Sequence, residues 1–187
     1  MKNKSTLVSI AITLFLFAWI WITRIPPSTQ PPSSIQAPRE DFLAPTFELA
    51  TIAGEPVSIS DLRGQPVILN FWASWCPPCR AEMPAFQQAW QEYGDSDLMI
   101  LAVNATHQDS LPDIERFIEL NGLTFPILLD TNGAVSAIYQ IRSLPTTILI
   151  NREGRITKTL IGGPIPLSLL RVEAELLLKD SSDASGN

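Results

Sequence analysis

Apolar and polar positions follow two different periods along this chain. "PVILNFWA" (66–73) and "LMILAVNA" (98–105) are nearly unbroken apolar runs, the pattern of strands buried on both faces. "FPILLD" (125–130) reads as a third strand. Between the first two runs the period lengthens to that of a helix. The helix starts near Cys76, and Met83, Phe86 and Trp90 at i, i+3 and i+7 give it one apolar face. Pro84 falls inside it and predicts a kink. "LPDIERFIEL" (111–120) predicts a helix stopped by Asn121-Gly122, and "GAVSAIYQ" (133–140) a short one. "TTILIN" (146–151), the "REG" turn (152–154) and "RITKTLIGG" (155–163) predict a hairpin. "PLSLLRVEAELLLKD" (166–180) predicts a final amphipathic helix. Ahead of them all, "TFELATIAGEPVSISDLRG" predicts a hairpin turning at Gly54, then a helical turn at 60–63. Strands and helices thus alternate, which implies an α/β fold: a central sheet covered by helices on both faces.

The flanks follow neither period. Residues 5–23, "STLVSIAITLFLFAWIWIT", carry no charge. As a helix they would span about 28 Å, close to the apolar thickness of a bilayer. Trp19 and Trp21 stand near the end of the run, where aromatic rings favour the interface. No small-residue cleavage site follows, so residues 1–24 are expected to be an uncleaved transmembrane anchor. Lys2 and Lys4 favour a cytoplasmic N-terminus, which places the rest of a single-pass protein on the extracytoplasmic side of the cell membrane. Prolines 26, 27, 31, 32, 38 and 45 crowd residues 25–45, and residues 25–43 read as a semi-rigid polyproline spacer. A globular domain at 44–179 and a disordered tail at 180–187 complete the organisation.

Charge removes one class of function. The formal charge is −6, and Lys2, Lys4 and Arg24 are the only charged residues in 1–24. Ten of the 13 basic residues therefore face all 19 acidic ones in the remainder. Phosphate contacts need clustered Lys and Arg, so no nucleic-acid partner is expected.

Both cysteines lie in "WASWCPPCRAEMP" (72–84). A structural zinc site wants four ligands, and this chain offers two cysteines and one histidine, His107, about 30 residues away in a polar stretch that reads as a surface loop. A bridge across three residues removes little unfolded-state entropy, so a purely structural disulfide would brace little. Redox chemistry fits the context better. The pair follows a buried strand and opens a helix, where free N–H groups and the helix dipole stabilise a thiolate. Pro77 and Pro78 occupy first-turn positions whose N–H groups lack partners in any helix.

"FWASWCPPCRAEMP", with Trp75 before the pair and Pro84 five residues after it, resembles the active-site segment of thioredoxin-fold oxidoreductases. It is most similar to the membrane-tethered TlpA/ResA-like branch, which includes cytochrome c maturation proteins. "SLPTT" (143–147) matches the family's cis-proline segment, and the resemblance covers about residues 44–179, hairpin and extra αβ unit included. It implies a thioredoxin-like fold with a mixed sheet, an N-terminal β-hairpin and an αβ insert. It further implies a redox-active disulfide in which Cys76 is the nucleophile and Cys79 the resolving thiol. Glu82 would tune their pKa values, and Trp75, Leu144, Pro145 and Thr146 would shape the substrate groove. Asn70 stands where thioredoxin itself has a buried Asp, and it cannot ionise. The implied partners are disulfide-bearing client proteins, a membrane thiol-electron donor and the membrane itself through the N-terminal helix. No cofactor and no metal is implied. Two other readings fit the sequence less well. A copper carrier of related fold would use a wider Cys spacing. A peroxidase site would need Thr or Ser three residues before Cys76, where Ala73 stands.

Overall fold

The computed structural model describes residues 38–179. The expected anchor, the first part of the spacer and the tail lie outside the described residues. Among the described residues, no helix is long and apolar enough to cross a membrane.

The hairpin comes first, with β1 (Glu48–Ala50) antiparallel to β2 (Pro56–Ser58), followed by a 3-10 turn at Ile59–Leu62. Then come β3 (Val67–Trp72), α1 (Pro77–Tyr93), β4 (Met99–Asn104), a 3-10 turn at Thr106–Gln108 and α2 (Leu111–Asn121). The chain continues through β5 (Ile127–Leu129), α3 (Ala134–Ile138), β6 (Thr146–Ile150), β7 (Ile156–Ile161) and α4 (Leu167–Lys179). Five strands form one mixed sheet in the order β5-β4-β3-β6-β7. β3 runs parallel to β4 and antiparallel to β6, so the end of β3 lies beside the start of β6, with Phe71 opposite Thr146.

Every residue of β3 is buried, as its continuous apolar pattern requires. The two faces of the sheet are covered unequally. α1, α2 and α4 pack one face through residues such as Met83, Phe86, Ile114, Leu170 and Leu177. The short α3, the 3-10 turn at Ile59 and the hairpin cover the other through Val135, Tyr139, Ile59 and Phe47. α1 runs from Pro77 through Pro84 to Tyr93 without interruption, with Pro84 on its exposed side. There the Arg80 carbonyl lacks the amide donor that residue 84 would otherwise supply. α2 stops where expected, because Gly122 adopts the left-handed conformation (φ 57°) that closes a helix.

Residues 39–43, which composition assigns to the spacer, bind back onto the sheet. Asp41 N donates to Ile156 O (2.8 Å), Ile156 N donates to Phe42 O (2.9 Å), and Leu43 bridges Arg155. The Glu40 carboxylate accepts from Thr159 N at 3.3 Å. The ordered chain thus lines the outer edge of β7 before it reaches Ala44.

Candidate functional site

The site is built where β3 hands over to α1. Cys76 is the N-cap of α1 in an extended conformation, and its Sγ accepts from Cys79 N at 3.4 Å. Pro77 and Pro78 fill the first two helical positions, where a missing N–H costs nothing. Cys76 and Cys79 form a disulfide with their Cα atoms 5.3 Å apart. Cys79 is fully buried and Cys76 is 3% exposed, so only the first cysteine touches solvent. The positive end of α1 points at these sulfurs, which favours a thiolate there when the pair is reduced.

The loop before Cys76 is fastened by a residue that sequence reasoning passed over. The Asp109 carboxylate accepts from Ser74 N (2.6 Å), Ser74 Oγ (2.6 Å), Asn104 Nδ2 (2.9 Å) and Ser110 N (2.8 Å). Trp75 Nε1 donates to Gln108 O at 2.9 Å, joining the same two loops again. Burial opposes ionisation of Asp109, but the hydrogen bonds from Asn104, Ser74 and Ser110 outweigh it and hold the carboxyl below its ordinary pKa. Because the folded value is depressed, this stabilisation is present above the ordinary aspartate pKa and is lost as pH falls through the folded value. Asp109→Ala would leave donors of buried Ser74 and Asn104 unpaired. We expect a loss of about 1–3 kcal/mol, read as a melting temperature lower by roughly 3–10 °C. The acid side of the stability–pH curve should flatten with it. An unchanged melting temperature and curve would show that Asp109 fastens nothing.

Behind the disulfide lies Glu82, three residues beyond Cys79 on the same face of α1. It is completely buried. Asn70 Nδ2 donates to Glu82 Oε1 (2.8 Å) and to Thr147 Oγ1 (3.0 Å), while Ile165 N donates to Glu82 Oε2 (3.0 Å). Desolvation by burial raises the Glu82 pKa above the ordinary carboxylate range, against the opposing pull of the Ile165 and Asn70 hydrogen bonds. Among the described residues, the buried Asn70 Oδ1 has no hydrogen-bond partner.

Gly163 completes this pocket and was also missed, since "GGP" reads only as the end of a hairpin. A Cβ at Gly163 would come 2.6 Å from Glu82 Oε2 and 2.6 Å from Pro145 Cγ. Neither neighbour can withdraw easily: one is a fastened carboxylate, the other a buried proline ring. Gly163→Ala is therefore expected to destabilise the protein by about 1–3 kcal/mol and to disturb the thiol chemistry, whereas Gly162→Ala, with nothing within 4 Å of its added methyl, should disturb only the local turn. Equal thiol–disulfide exchange rates in the two variants would contradict a role for the Gly163 contact.

The groove residues divide. Leu144 precedes a cis peptide bond to Pro145. Among the described residues, neither the Leu144 N–H nor its C=O has a hydrogen-bond partner. Thr146 is different: it lies inside β6, paired with Phe71 on one side and Ile161 on the other, and its hydroxyl donates to Ser143 O at 2.8 Å. Of the two residues, Leu144 is the one whose main chain is unpaired, and it lines the groove beside Cys76. Trp75 is 54% exposed, whereas Trp72 is fully buried. A groove of about 240 Å³ runs beside the disulfide, walled by Trp75, Cys76, His107, Arg142 and Leu144. His107 is exposed, as its polar loop predicts, yet the fold brings it to the same groove as Cys76.

With this geometry in hand, known proteins can be compared. A model of the AhpC/TSA family matches residues 42–159. The chain is 37% identical over 164 residues to sporulation thiol-disulfide oxidoreductase A of Bacillus subtilis, covering 87% of this chain and 92% of that one. It is 42% identical over 120 residues to thiol-disulfide oxidoreductase ResA of Halalkalibacterium halodurans, covering 64% and 67%. Among solved structures, StoA from Bacillus subtilis superposes with a TM-score of 0.62 at 39% identity, covering 70% of this chain and 96% of that one. A putative thiol:disulfide interchange protein DsbE from Chlorobium tepidum gives 0.66 at 30% identity, covering 75% and 96%.

Proposed function

Since this chain belongs to the AhpC/TSA family, and within it to the thioredoxin-fold thiol-disulfide oxidoreductases, we propose that it is a membrane-anchored, extracytoplasmic reductant of disulfides in exported proteins, apocytochrome c among them. The observation that carries this reading is the asymmetry of the pair: Cys76 alone touches the surface, in the wall of a groove, with Cys79 and Glu82 buried behind it.

The chemistry follows from that asymmetry. In the dithiol form, the Cys76 thiolate at the start of α1 attacks one sulfur of a client disulfide. A Cys76–client disulfide forms, and the other client sulfur leaves as a thiolate and takes up a proton. Cys79 then gives its proton to the Glu82 carboxylate, whose raised pKa suits an acceptor for a thiol. The Cys79 thiolate attacks Cys76 Sγ and expels the second client thiolate. Two electrons have passed from the pair to the client, and the protein is left in the disulfide form. A dithiol donor in the membrane returns it to the dithiol by the same exchange: its first thiolate attacks the Cys76–Cys79 disulfide, its second resolves the mixed disulfide, and the donor is left as a disulfide. The Leu144 main chain, unpaired beside the groove, offers the client an edge to pair with.

A peroxidase reading finds no support in the same geometry. The residue three before Cys76 is the buried Ala73, and the neighbouring Ser74 hydroxyl is committed to Asp109.

The test is made in cells. The protein should sediment with membranes, be cut by protease added outside the cytoplasmic membrane, and carry Cys76 and Cys79 mainly as free thiols when alkylated in situ. A cytoplasmic soluble pool, or a pair held mainly as disulfide, would overturn the reading.

A further inference from the structure

The exchange chemistry says nothing of which clients fit. The charges around Trp75 do, given that reading of the site. A second groove, of about 340 Å³, lies on the other side of Trp75, walled by Ser74, Arg80, Arg116, Phe117 and Leu120. Trp75 lines both grooves, so they adjoin at its ring, and Cys76 lines the second of them.

The two grooves are cationic on an acidic chain. Arg80 and Arg116 line one groove, Arg142 the other, and Asp113 is the acidic residue that lines either. Elsewhere, Arg152, Lys158, Arg171 and Lys179 each sit in an ion pair, with Asp97, Glu173, Glu92 and Glu175 respectively. Among the described residues, Arg116 and Arg142 are exposed and enter no ion pair. The Arg80 guanidinium donates to Ser74 O at 3.1 Å and lies 5.0 Å over the Phe117 ring, which holds its charge in the groove wall without neutralising it. Among the described residues six basic side chains enter no ion pair; three of them, Arg80, Arg116 and Arg142, line the two grooves beside Trp75, while Arg39, Arg63 and Arg155 lie elsewhere.

We propose that the two grooves bind one extended client segment crossing Trp75, and that this segment carries acidic side chains flanking its reacting cysteine. The overall negative charge of the domain does not forbid this. The Debye length is about 10 Å at 0.1 M salt, so a bound segment responds to the adjacent arginines and hardly to acids across the molecule. Exposed pairs of this kind contribute little singly, and two or three together are worth about a fivefold preference.

The experiment uses the reduced full-length protein and three disulfide-bonded peptides of equal length, with Asp, Asn or Lys flanking the cysteines. Oxidation of the Cys76–Cys79 pair is followed in a single turnover by tryptophan fluorescence. Each peptide's intrinsic reactivity is calibrated with a small thiol, and the neutral 2-hydroxyethyl disulfide calibrates the protein. At 0.1 M salt the Asp peptide should react about fivefold faster than the Asn peptide and faster still than the Lys peptide. The advantage should vanish by 1 M salt, where the Debye length is about 3 Å. In the Arg116→Gln, Arg142→Gln double variant, the Asp-to-Asn rate ratio should fall to about one. Equal rates for the three peptides, or a preference that survives high salt or the double variant, would overturn the proposal and leave the reductase reading intact. If 2-hydroxyethyl disulfide and all three peptides fail to oxidise the pair, the reductase reading falls and takes this proposal with it.

Discussion

A Cys79→Ser chain is expected to hold its client on Cys76 and to lose turnover entirely. Attack needs only the sulfur that reaches the groove, and Cys76 keeps its place at the N-cap of α1 in this variant. Release needs the second sulfur. With Cα atoms 5.3 Å apart, Cys79 is positioned to attack Cys76 Sγ without any rearrangement of the helix. Aligned intramolecular groups reach effective concentrations of about 10⁵ M, which no millimolar thiol in the medium can replace. The mixed disulfide should therefore accumulate as a covalent adduct that dissolves on reduction, and mass spectrometry of the adduct would name the client. Cys76→Ser should give no adduct, because Cys79 is fully buried. If Cys76→Ser is instead the variant that accumulates adducts, the two roles are reversed.

Glu82→Gln should produce an unusual pair of effects, a slower protein that is no less stable. The side chain keeps its shape. Its single acceptor oxygen serves Ile165 N, and an Asn70 amide turned end for end presents Oδ1 both to the new N–H₂ group and to the Thr147 hydroxyl, which can donate as well as accept. The stability argument turns on sign. A carboxyl whose folded pKa is raised contributes most below the ordinary glutamate value, and that contribution is lost as pH rises through the folded value. Above the ordinary glutamate value the native Glu82 is on the unfavourable side of that window, and a neutral glutamine removes the cost of charging a buried group. Kinetically the substitution removes the proton acceptor for Cys79, and resolution of the mixed disulfide should slow by roughly 10–100-fold. The pH–rate profile of the native protein should show an inflection above the ordinary carboxylate range, and the variant should lack it. A variant that keeps both rate and inflection would remove Glu82 from the chemistry.

The strands and helices were legible because burial writes itself into apolar runs. All of Val67–Trp72 is buried, and the 3.6-residue period of α1 matches the burial of Met83 and Phe86. Glu82 was half legible: it falls on the same stripe, between Cys79 and Phe86, where a charged residue is out of place. Asp109 was not legible at all. Its partners Ser74 and Asn104 come from two separate strand ends, and nothing in "NATHQDS" distinguishes it from a solvated loop acid. Gly163 was hidden for a related reason, because its role is set by the space it leaves to Glu82 and Pro145, and that space exists only once β7 has packed. Thr146 was expected in the groove beside Leu144, and the register that places it between two strands is a property of the sheet, which the local sequence does not show. Local periods reveal what a residue is buried in, while contacts across the fold decide what it does.

The strip at residues 39–43 bears on how the domain can be cut from its chain. β7 is an edge strand, and an uncovered edge is a template for another copy of the same strand. Asp41 and Phe42 occupy the backbone groups of Ile156, and Glu40 occupies the amide of Thr159. A soluble version started at Ala44, where the proline-rich composition would place the cut, strips that cover away and invites edge-to-edge aggregation. One started at or before Pro38 keeps the sheet closed to its neighbours.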